Sequence, residues 1–470
     1  MPRIHVAIQE TDGSFAIKEE NLTGFSPPRI LKQNRLSRGE ANMDTSCQRY
    51  RDYLQILREE LVPAMGCTEP IALAYGAAVA RETLGTLPET ITVWVSGNLI
   101  KNVKSVIVPH TGGLRGIPAA VAAGLVAGQA AKKLEVIAAV TAEQQNAIAA
   151  FLQSHCIEVH PADSTLTFDY IIRLQAGTNA VTLRIANYHT NLVHLEKNGE
   201  ILLDIPVEGE KETALTDRSI LNIRDIVDFA DSVDLHDLRP LLEPQVQCNM
   251  AIAEAGLHHT YGANIGKVLL SCGEDSVVLR ARAKAAAGSD ARMNGCEMPV
   301  IIVSGSGNQG ITASVPVIEY ARSYHIDEER MYRALAVADL CTIHQKTFIG
   351  RLSAFCGAVS AGAGAGAGIC YLLGGGYDQV KHTIVNALAF QSGVICDGAK
   401  SSCAAKIAMA VEAGIFGYQM YLQGQQFHSG DGIVSTGVEN TIHNVGELGR
   451  RGMYETDRVI IDMMTQESSS

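Results

Sequence analysis

The amino-acid sequence predicts an α+β protein with a mainly helical domain and a smaller domain that contains the strands. Helical periodicity dominates from about residue 219 to the end of the chain. By contrast, residues 157–205 alternate apolar and polar side chains, and Asn198-Gly199 within them is typical of a hairpin turn. These patterns predict the following segments, in chain order: a disordered tail over 1–42, an N-terminal α+β region over 43–215, a helical domain over 216–464 and a tail over 465–470.

The N-terminal region opens with two predicted helices that flank a short turn. A helical pattern of apolar residues begins at Met43. An Ala-rich helix is predicted over 71–84, and the preceding Pro70 suits a first helical turn. Strand-like segments follow at 90–95 and 103–108.

Cys67 lies in the turn just before the Ala-rich helix. The positive end of that helix favours the thiolate form of Cys67, whereas the nearby Glu69 favours the thiol. From the residues alone, a reactive cysteine and a small buried residue at a turn are equally good interpretations.

The amino-acid composition limits the kinds of binding partner and the cellular compartment that the sequence predicts. The 470 residues carry 38 Lys+Arg and 50 Asp+Glu, for a net charge of −12, which argues against binding to nucleic acid or to anionic membranes. The uncharged Ala-Gly run within 355–376 predicts a helix packed in a core rather than a membrane span. Eleven scattered cysteines, with no secretory signal in the first 20 residues, predict a cytoplasmic protein with free thiols or metal ligands.

Three cysteines in the helical half, Cys356, Cys396 and Cys403, form the candidate metal site. Three protein ligands leave one coordination position for substrate, which is typical of catalytic metal sites in lyases and hydrolases. On an unbroken helix the last two would stand about 10 Å apart along the axis. Asp397-Gly398 is a turn dipeptide, so we predict a bend that brings the two sulfurs together. Buried apolar cysteines are the alternative interpretation.

Two glycine-rich loops are candidate anion sites. Backbone N–H groups in 303–312, which includes Asn308, suit a phosphate or a carboxylate. The loop over 111–118 is similar and adds the cation of Arg115. A purely structural turn is an equally good interpretation of both loops.

Several segments of this chain, taken together, match one known family. They are Gly66-Cys67-Thr68-Glu69-Pro70, the loop over 111–118, Ser289-Asp290-Ala291-Arg292-Met293, the loop over 305–312, and Cys396-Asp397-Gly398-Ala399-Lys400 with Cys403. In this order they resemble the L-cysteine desulfidase family, which is related to the α-chain of iron–sulfur L-serine dehydratases. The resemblance runs from about Met43 to about Met464.

The resemblance implies one 4Fe-4S cluster per chain, held by Cys356, Cys396 and Cys403. It implies that Cys67 is the proton acceptor, and it leaves Arg115 and Asn308 as candidate ligands for the carboxylate or amine of the substrate. In the serine dehydratases proper the last two cluster ligands are more widely spaced than Cys396 and Cys403, which favours the desulfidase branch.

The implied function is β-elimination of L-cysteine to pyruvate, ammonia and hydrogen sulfide. A small-molecule amino acid is then the partner, and a homo-oligomer is compatible with the sequence. Three alternatives stay open: an L-serine dehydratase, a pyridoxal-phosphate lyase whose phosphate cup the loop over 304–310 resembles, and a non-catalytic iron–sulfur sensor.

Overall fold

The computed structural model describes residues 5–11, 14–20, 43–207, 209 and 215–466. The chain divides into two units, 1–38 and 39–470. The first unit contains an antiparallel hairpin of β1 (His5–Thr11) and β2 (Ser14–Glu20). This hairpin differs from the disordered tail that the sequence predicts for 1–42; the rest of that range, like 467–470, lies outside the described residues.

The second unit begins with a helix and continues through alternating helices and strands before a long helical part. Its elements up to residue 204 are α1 (Gln48–Glu60), β3 (Pro63–Met65), α2 (Thr68–Leu84), β4 (Thr90–Val95), α3 (Gly97–Val103), α4 (Gly116–Ala127), α5 (Ala142–Ser154), β5 (Ile157–Pro161), β6 (Asp169–Ala176), β7 (Asn179–Ala186), β8 (Leu192–Lys197) and β9 (Glu200–Asp204). The later elements are α6 (Ile223–Ser232), α7 (Leu235–His258), α8 (Ile265–Cys272), α9 (Val277–Met293), β10 (Pro299–Ile301), α10 (Gly307–Ser323), α11 (Glu328–Ile349), α12 (Gly357–Leu372), α13 (Tyr377–Gln391), α14 (Cys403–Leu422), α15 (Val438–Glu447) and α16 (Tyr454–Gln466).

The strands of the second unit confirm most of the predicted β segments. The main sheet has the order β5-β4-β6-β7-β8-β9, in which β4 and β5 are parallel and the other neighbours antiparallel. Asn198-Gly199 joins β8 to β9, as predicted. The strand predicted over 103–108 is wrong, because Val103 ends α3 and only Ile107 makes an isolated bridge, to Arg115.

Helix α12 lies in the core of the helical part and is buried along its whole length after Gly357. Its glycines allow backbones to touch: an ideal Cβ on Gly362 would overlap the carbonyl of Ala410 in α14, and one on Gly366 would overlap that of Gly414. The Ala-Gly run is therefore a core helix, as predicted. Within the described ranges, no helix combines the length and the apolar character that crossing a membrane requires.

The fold class is α+β and mainly helical, as the sequence predicts. The boundary predicted between residues 215 and 216 lies inside the unit 39–470 and stays a prediction. The β-sheet precedes the helices α6–α16 in the chain, so the order of the two predicted regions agrees with the order of the elements.

Asp339 is a buried acid between α11 and α7, and its ionisation makes stability depend on pH. Burial raises the pKa of Asp339 to about 8, although the hydrogen bond that Gln245 Nε2 donates to Oδ1 over 3.0 Å opposes the shift. Because this pKa lies above the value of an unfolded aspartate, the carboxyl group destabilises the fold increasingly as pH rises from about 4 to about 8. Above pH 8 the effect is constant.

We therefore expect Asp339→Asn to raise the melting temperature more at pH 8 than at pH 5. The difference in unfolding free energy is expected to grow by at most about 1.4 kcal/mol per pH unit in this range. Melting curves of both proteins at several pH values measure it. Asp163→Asn, at an exposed position, is the control and should show no such trend. A gain that does not change with pH would contradict an ionisable Asp339.

Candidate active site

A cavity of about 100 Å³ lies where four helices begin: α2, α10, α12 and α14. It brings together four of the cysteines and several charged side chains that are far apart in the sequence. The lining residues that matter below are Cys67, Glu69, Arg292, Asn308, Gln309, Lys346, Arg351, Cys356, Cys396, Cys403 and Lys406.

The four helix N-termini give this cavity a positive potential. Helix N-termini carry unpaired N–H groups and the positive end of the helix dipole. For these four helices, all within the described part of the chain, no N-cap side chain accepts a hydrogen bond from the backbone. The helix dipoles, rather than cap side chains, therefore act on an anion in the cavity, although the Cys403 and Ala404 N–H groups at the start of α14 already donate to the Lys400 and Ser401 carbonyls.

Backbone pairing holds Cys356 and Cys396 side by side. The Cys356 N–H donates to the Val394 carbonyl over 3.0 Å, and the Cys396 N–H donates to the Ala354 carbonyl over 2.6 Å. Together they form an antiparallel bridge between Phe355 and Ile395. Since Cys356 is also the N-cap of α12, one thiol is fixed at the start of a core helix and the second beside it.

Cys403 reaches the same cavity because the chain bends after Cys396. Gly398 has φ +91°, a conformation that favours glycine, and α14 begins only at Cys403. The Cys403 thiol lies 3.7 Å from the Gly398 carbonyl. The predicted bend at Asp397-Gly398 is confirmed, and no continuous helix separates the two sulfurs.

The three cysteines influence one another electrostatically. Burial raises the pKa of Cys356 to about 12, and the neighbouring Cys396 and Cys403 contribute to the shift. Burial, with a further contribution from Cys396, also raises the pKa of Cys403. The Cys356 and Cys403 thiols thus have a neighbouring sulfur atom, that of Cys396, which opposes their ionisation.

Positive side chains surround this group of thiols. Lys406 lines the cavity, pairs with Asp397 and donates to the Ile395 carbonyl over 2.9 Å. Burial lowers the pKa of Lys346 to about 8, although Cys396 and Cys356 oppose the shift. Lys101, which is 1% exposed, pairs with Asp457 and lies 3.4 Å from the Cys396 carbonyl.

The cysteines of the cavity can be compared with the ligands that an iron–sulfur cluster needs. Among the described residues, no group of three or more His, Cys, Asp or Glu side chains is arranged to hold one metal ion. An iron–sulfur cluster separates its thiolate ligands more widely than a single ion does, because each thiolate binds a different iron. Three cysteines around one cavity, with positive side chains nearby, are compatible with that larger group.

Cys67 and Glu69 form a hydrogen-bonded pair in the same cavity. Cys67 is the N-cap of α2, is 2% exposed, and donates its thiol hydrogen to Glu69 Oε2 over 3.1 Å. Burial and the charge of Glu69 raise the pKa of Cys67 well above its usual value, although Arg292 acts in the opposite direction. The positive end of α2 favours the thiolate form of Cys67, but burial and the charge of Glu69 have a larger, opposite effect on the pKa of this thiol.

Asn308 lies in the cavity, as predicted, whereas Arg115 does not. Asn308 is in the first turn of α10, and its Oδ1 has no partner among the described residues. Arg115 is exposed, lines a separate depression with Tyr261 and Asn294, and donates to the Ser105 carbonyl over 3.2 Å. The prediction that Arg115 binds substrate beside Asn308 is not supported by this geometry.

Five charged residues of the cavity were not selected from the sequence as site residues: Glu69, which entered only as a charge near Cys67, and the cations Arg292, Lys346, Arg351 and Lys406. Lys346 and Arg351 also line a neighbouring cavity of about 640 Å³. The only available signal was that Glu69 and Arg292 lie in segments that carry the family resemblance. Lys346 sits in an ordinary helical pattern that gives no such sign.

Known proteins resemble this chain over most of its length. Residues 119–462 match the family model of the serine dehydratase alpha chain. A UPF0597 protein of Desulfitobacterium hafniense is 57% identical over 91% of this chain and all of its own length. UPF0597 proteins of Lachnoclostridium phytofermentans (49% identical, 88% of this chain, 99% of the relative) and Aeromonas hydrophila (37%, 88% and 96%) are also similar. The chain therefore belongs to the serine dehydratase alpha chain family.

Proposed function

We propose that this protein is an iron–sulfur-dependent lyase that converts L-cysteine to pyruvate, ammonia and hydrogen sulfide. The observation that carries the proposal is one cavity lined by Cys356, Cys396 and Cys403 together with the Cys67–Glu69 pair. The membership in the serine dehydratase alpha chain family supports a lyase of this general type.

Cys356, Cys396 and Cys403 would hold a 4Fe-4S cluster. When bound, such a cluster supplies Lewis acidity at the iron that has no protein ligand. The four helix N-termini and Lys406 would offset the negative charge of the three thiolates, whereas burial and neighbouring sulfur atoms raise the pKa of Cys356 and Cys403.

Cys67 and Glu69 would move the Cα proton of the substrate. Glu69 Oε2 accepts the thiol hydrogen of Cys67 and can take that proton, which leaves a thiolate beside the substrate; burial and the charge of Glu69 oppose this transfer, and the charge of Arg292 favours it. The thiolate then takes the proton from Cα while the Cβ–S bond breaks and its electron pair leaves with sulfur. The resulting aminoacrylate tautomerises to an imine, and water hydrolyses it to pyruvate and ammonia.

Two hydrogen bonds hold Glu69 in position for this task. Thr68 Oγ1 donates to Oε2 over 3.1 Å, and Asn102 Nδ2 donates to Oε1 over 3.4 Å. Since the Glu69 residue is only 9% exposed, the proton exchange takes place away from bulk water. That exclusion protects a base from bulk solvent during the reaction.

L-serine is the second candidate substrate, and the family match is the observation that favours it. The same proton transfer applies, with hydroxide as the leaving group in place of sulfide. The short spacing of Cys396 and Cys403, in contrast, favours L-cysteine through the resemblance described above.

The deciding experiment is purification without oxygen, followed by counts of iron, sulfide, zinc and pyridoxal phosphate. Pyruvate formation from L-cysteine and from L-serine is then measured on the same sample. We expect about four iron and four sulfide per chain, loss of both on exposure to air, and faster turnover of L-cysteine. Zinc or pyridoxal phosphate without iron would overturn the proposal, and iron without turnover of either amino acid would favour a sensor.

A further inference from the structure

We propose that Arg292 binds the α-carboxylate of the amino-acid substrate, an inference that rests on the proposed function. Arg292 lies at the C-terminal end of α9, is 2% exposed and lines the cavity that contains Cys67 and the three candidate cluster ligands. Its Nε and Nη2 atoms are buried and have no hydrogen-bond partner among the residues that the structure describes.

In a folded protein, a buried guanidinium whose N–H groups have no hydrogen-bond acceptor is unfavourable. Burying an ion costs several kcal/mol unless an opposite charge and hydrogen bonds compensate for it. Within the described ranges, Arg292 takes part in no ion pair. A ligand carboxylate in the cavity would supply both the charge and two acceptors, the geometry that guanidinium groups bind best.

The surrounding groups suit the rest of an α-amino acid. Asn308 Oδ1 and Gln309 Oε1 are buried acceptors in the same cavity without a partner among the described residues, and they suit the hydrogens of an amino group. Arg292 also lies close enough to Cys67 to lower the pKa of that thiol. A carboxylate on Arg292 would therefore lie in the cavity that also contains the Cys67 sulfur.

Because Gly307 has no side chain, there is room beside it for the Arg292 guanidinium. An ideal Cβ on Gly307, the first residue of α10, would overlap both Arg292 Nε and Val300 Cγ2. Alanine at this position would push the guanidinium aside without removing its charge. Substitution of Arg292 itself and substitution of Gly307 are therefore two different ways to disturb the Arg292 guanidinium.

The test uses L-alanine, which carries the carboxylate and the amino group but has no leaving group. L-alaninamide is the matched probe, because it keeps the amino group and lacks the carboxylate. Binding of both to the full chain with its cluster is measured by calorimetry without oxygen, for the unsubstituted protein and for Arg292→Gln, Arg292→Lys, Gly307→Ala and Arg115→Gln.

We expect the unsubstituted protein to bind L-alanine at least about tenfold more tightly than L-alaninamide. Arg292→Gln should lose that preference, Arg292→Lys should keep part of it, and Gly307→Ala should weaken L-alanine binding at least about tenfold. Arg115→Gln, in a separate depression, should bind both probes as the unsubstituted protein does.

Equal binding of the two probes, or no binding of L-alanine by the unsubstituted protein, overturns the inference. Unchanged L-alanine binding by Arg292→Gln overturns it as well. If Arg292→Gln does not fold or loses its iron, L-alanine binding by Gly307→Ala is the deciding measurement, and unchanged binding overturns the inference. Failure of the proposed function is a separate result, since a protein that makes no pyruvate can still bind L-alanine through Arg292.

Discussion

Replacing Cys67 by alanine is expected to leave the iron and sulfide content unchanged and to lower the turnover of L-cysteine by about 10² or more. The physical reason is that a positioned general base contributes about this factor to an elimination that starts by removing a carbon-bound proton. Pyruvate formation and iron content, measured on the same anaerobic sample, check both parts. Exchange of the substrate Cα hydrogen with solvent deuterium should fall in parallel.

A second variant tests the role of the Glu69 carboxylate separately from that of the Cys67 thiol. Glu69→Gln keeps a side chain of the same size but cannot take the proton that Cys67 now donates to Glu69. Its turnover should also fall with the cluster intact, whereas Cys248→Ala, in helix α7, should leave turnover unchanged. If Cys67→Ala loses its iron, Cys67 is a cluster ligand rather than a base, and the sensor becomes the better interpretation.

Replacing Cys356, Cys396 or Cys403 by serine is expected to remove the cluster and, with it, all measurable turnover. Serine has nearly the shape of cysteine but is a poor ligand for iron, so the effect on packing is small and the effect on iron is large. Iron and sulfide counts with visible absorption spectra give the result.

Three cysteines outside the cavity are the controls for these serine variants. Cys47 and Cys248 are half-buried and Cys156 is exposed, and replacing any of them by alanine should leave iron and turnover intact. An intact cluster in any one of the three serine variants would contradict the ligand assignment at that position.

The candidate residues of the cavity are easier to select from the sequence than their arrangement. Residue types and turn chemistry alone indicated three cysteines, one bend and the loop that holds Asn308 as candidates, and left buried cysteines and a structural turn as alternatives. The bridge between Phe355 and Ile395, which brings Cys356 beside Cys396, joins segments far apart in the chain and leaves no local pattern. The convergence of four helix N-termini is likewise a property of the packing.

The predictions that the structure changes have identifiable causes. The segment 103–108 has the apolar residues of a strand, but Val103 completes a helix that begins at Gly97. Arg115 was selected because its loop is rich in glycine, whereas Arg292, within an Ala-rich helix, carries no local sign of its burial. The pKa of Cys67 depends on how deeply the thiol is buried, which a helix pattern does not reveal.

The glycine contacts between α12 and α14 also bear on how the proposed cluster would be rebuilt after its loss. Cys356 precedes α12, Cys403 opens α14, and Gly362 and Gly366 fix the distance between these helices through direct backbone contact. The spacing of two sulfurs is thus set by the core and not by iron. A chain stripped of its iron would keep its ligands in register, so that repair requires a supply of iron and sulfide and no refolding.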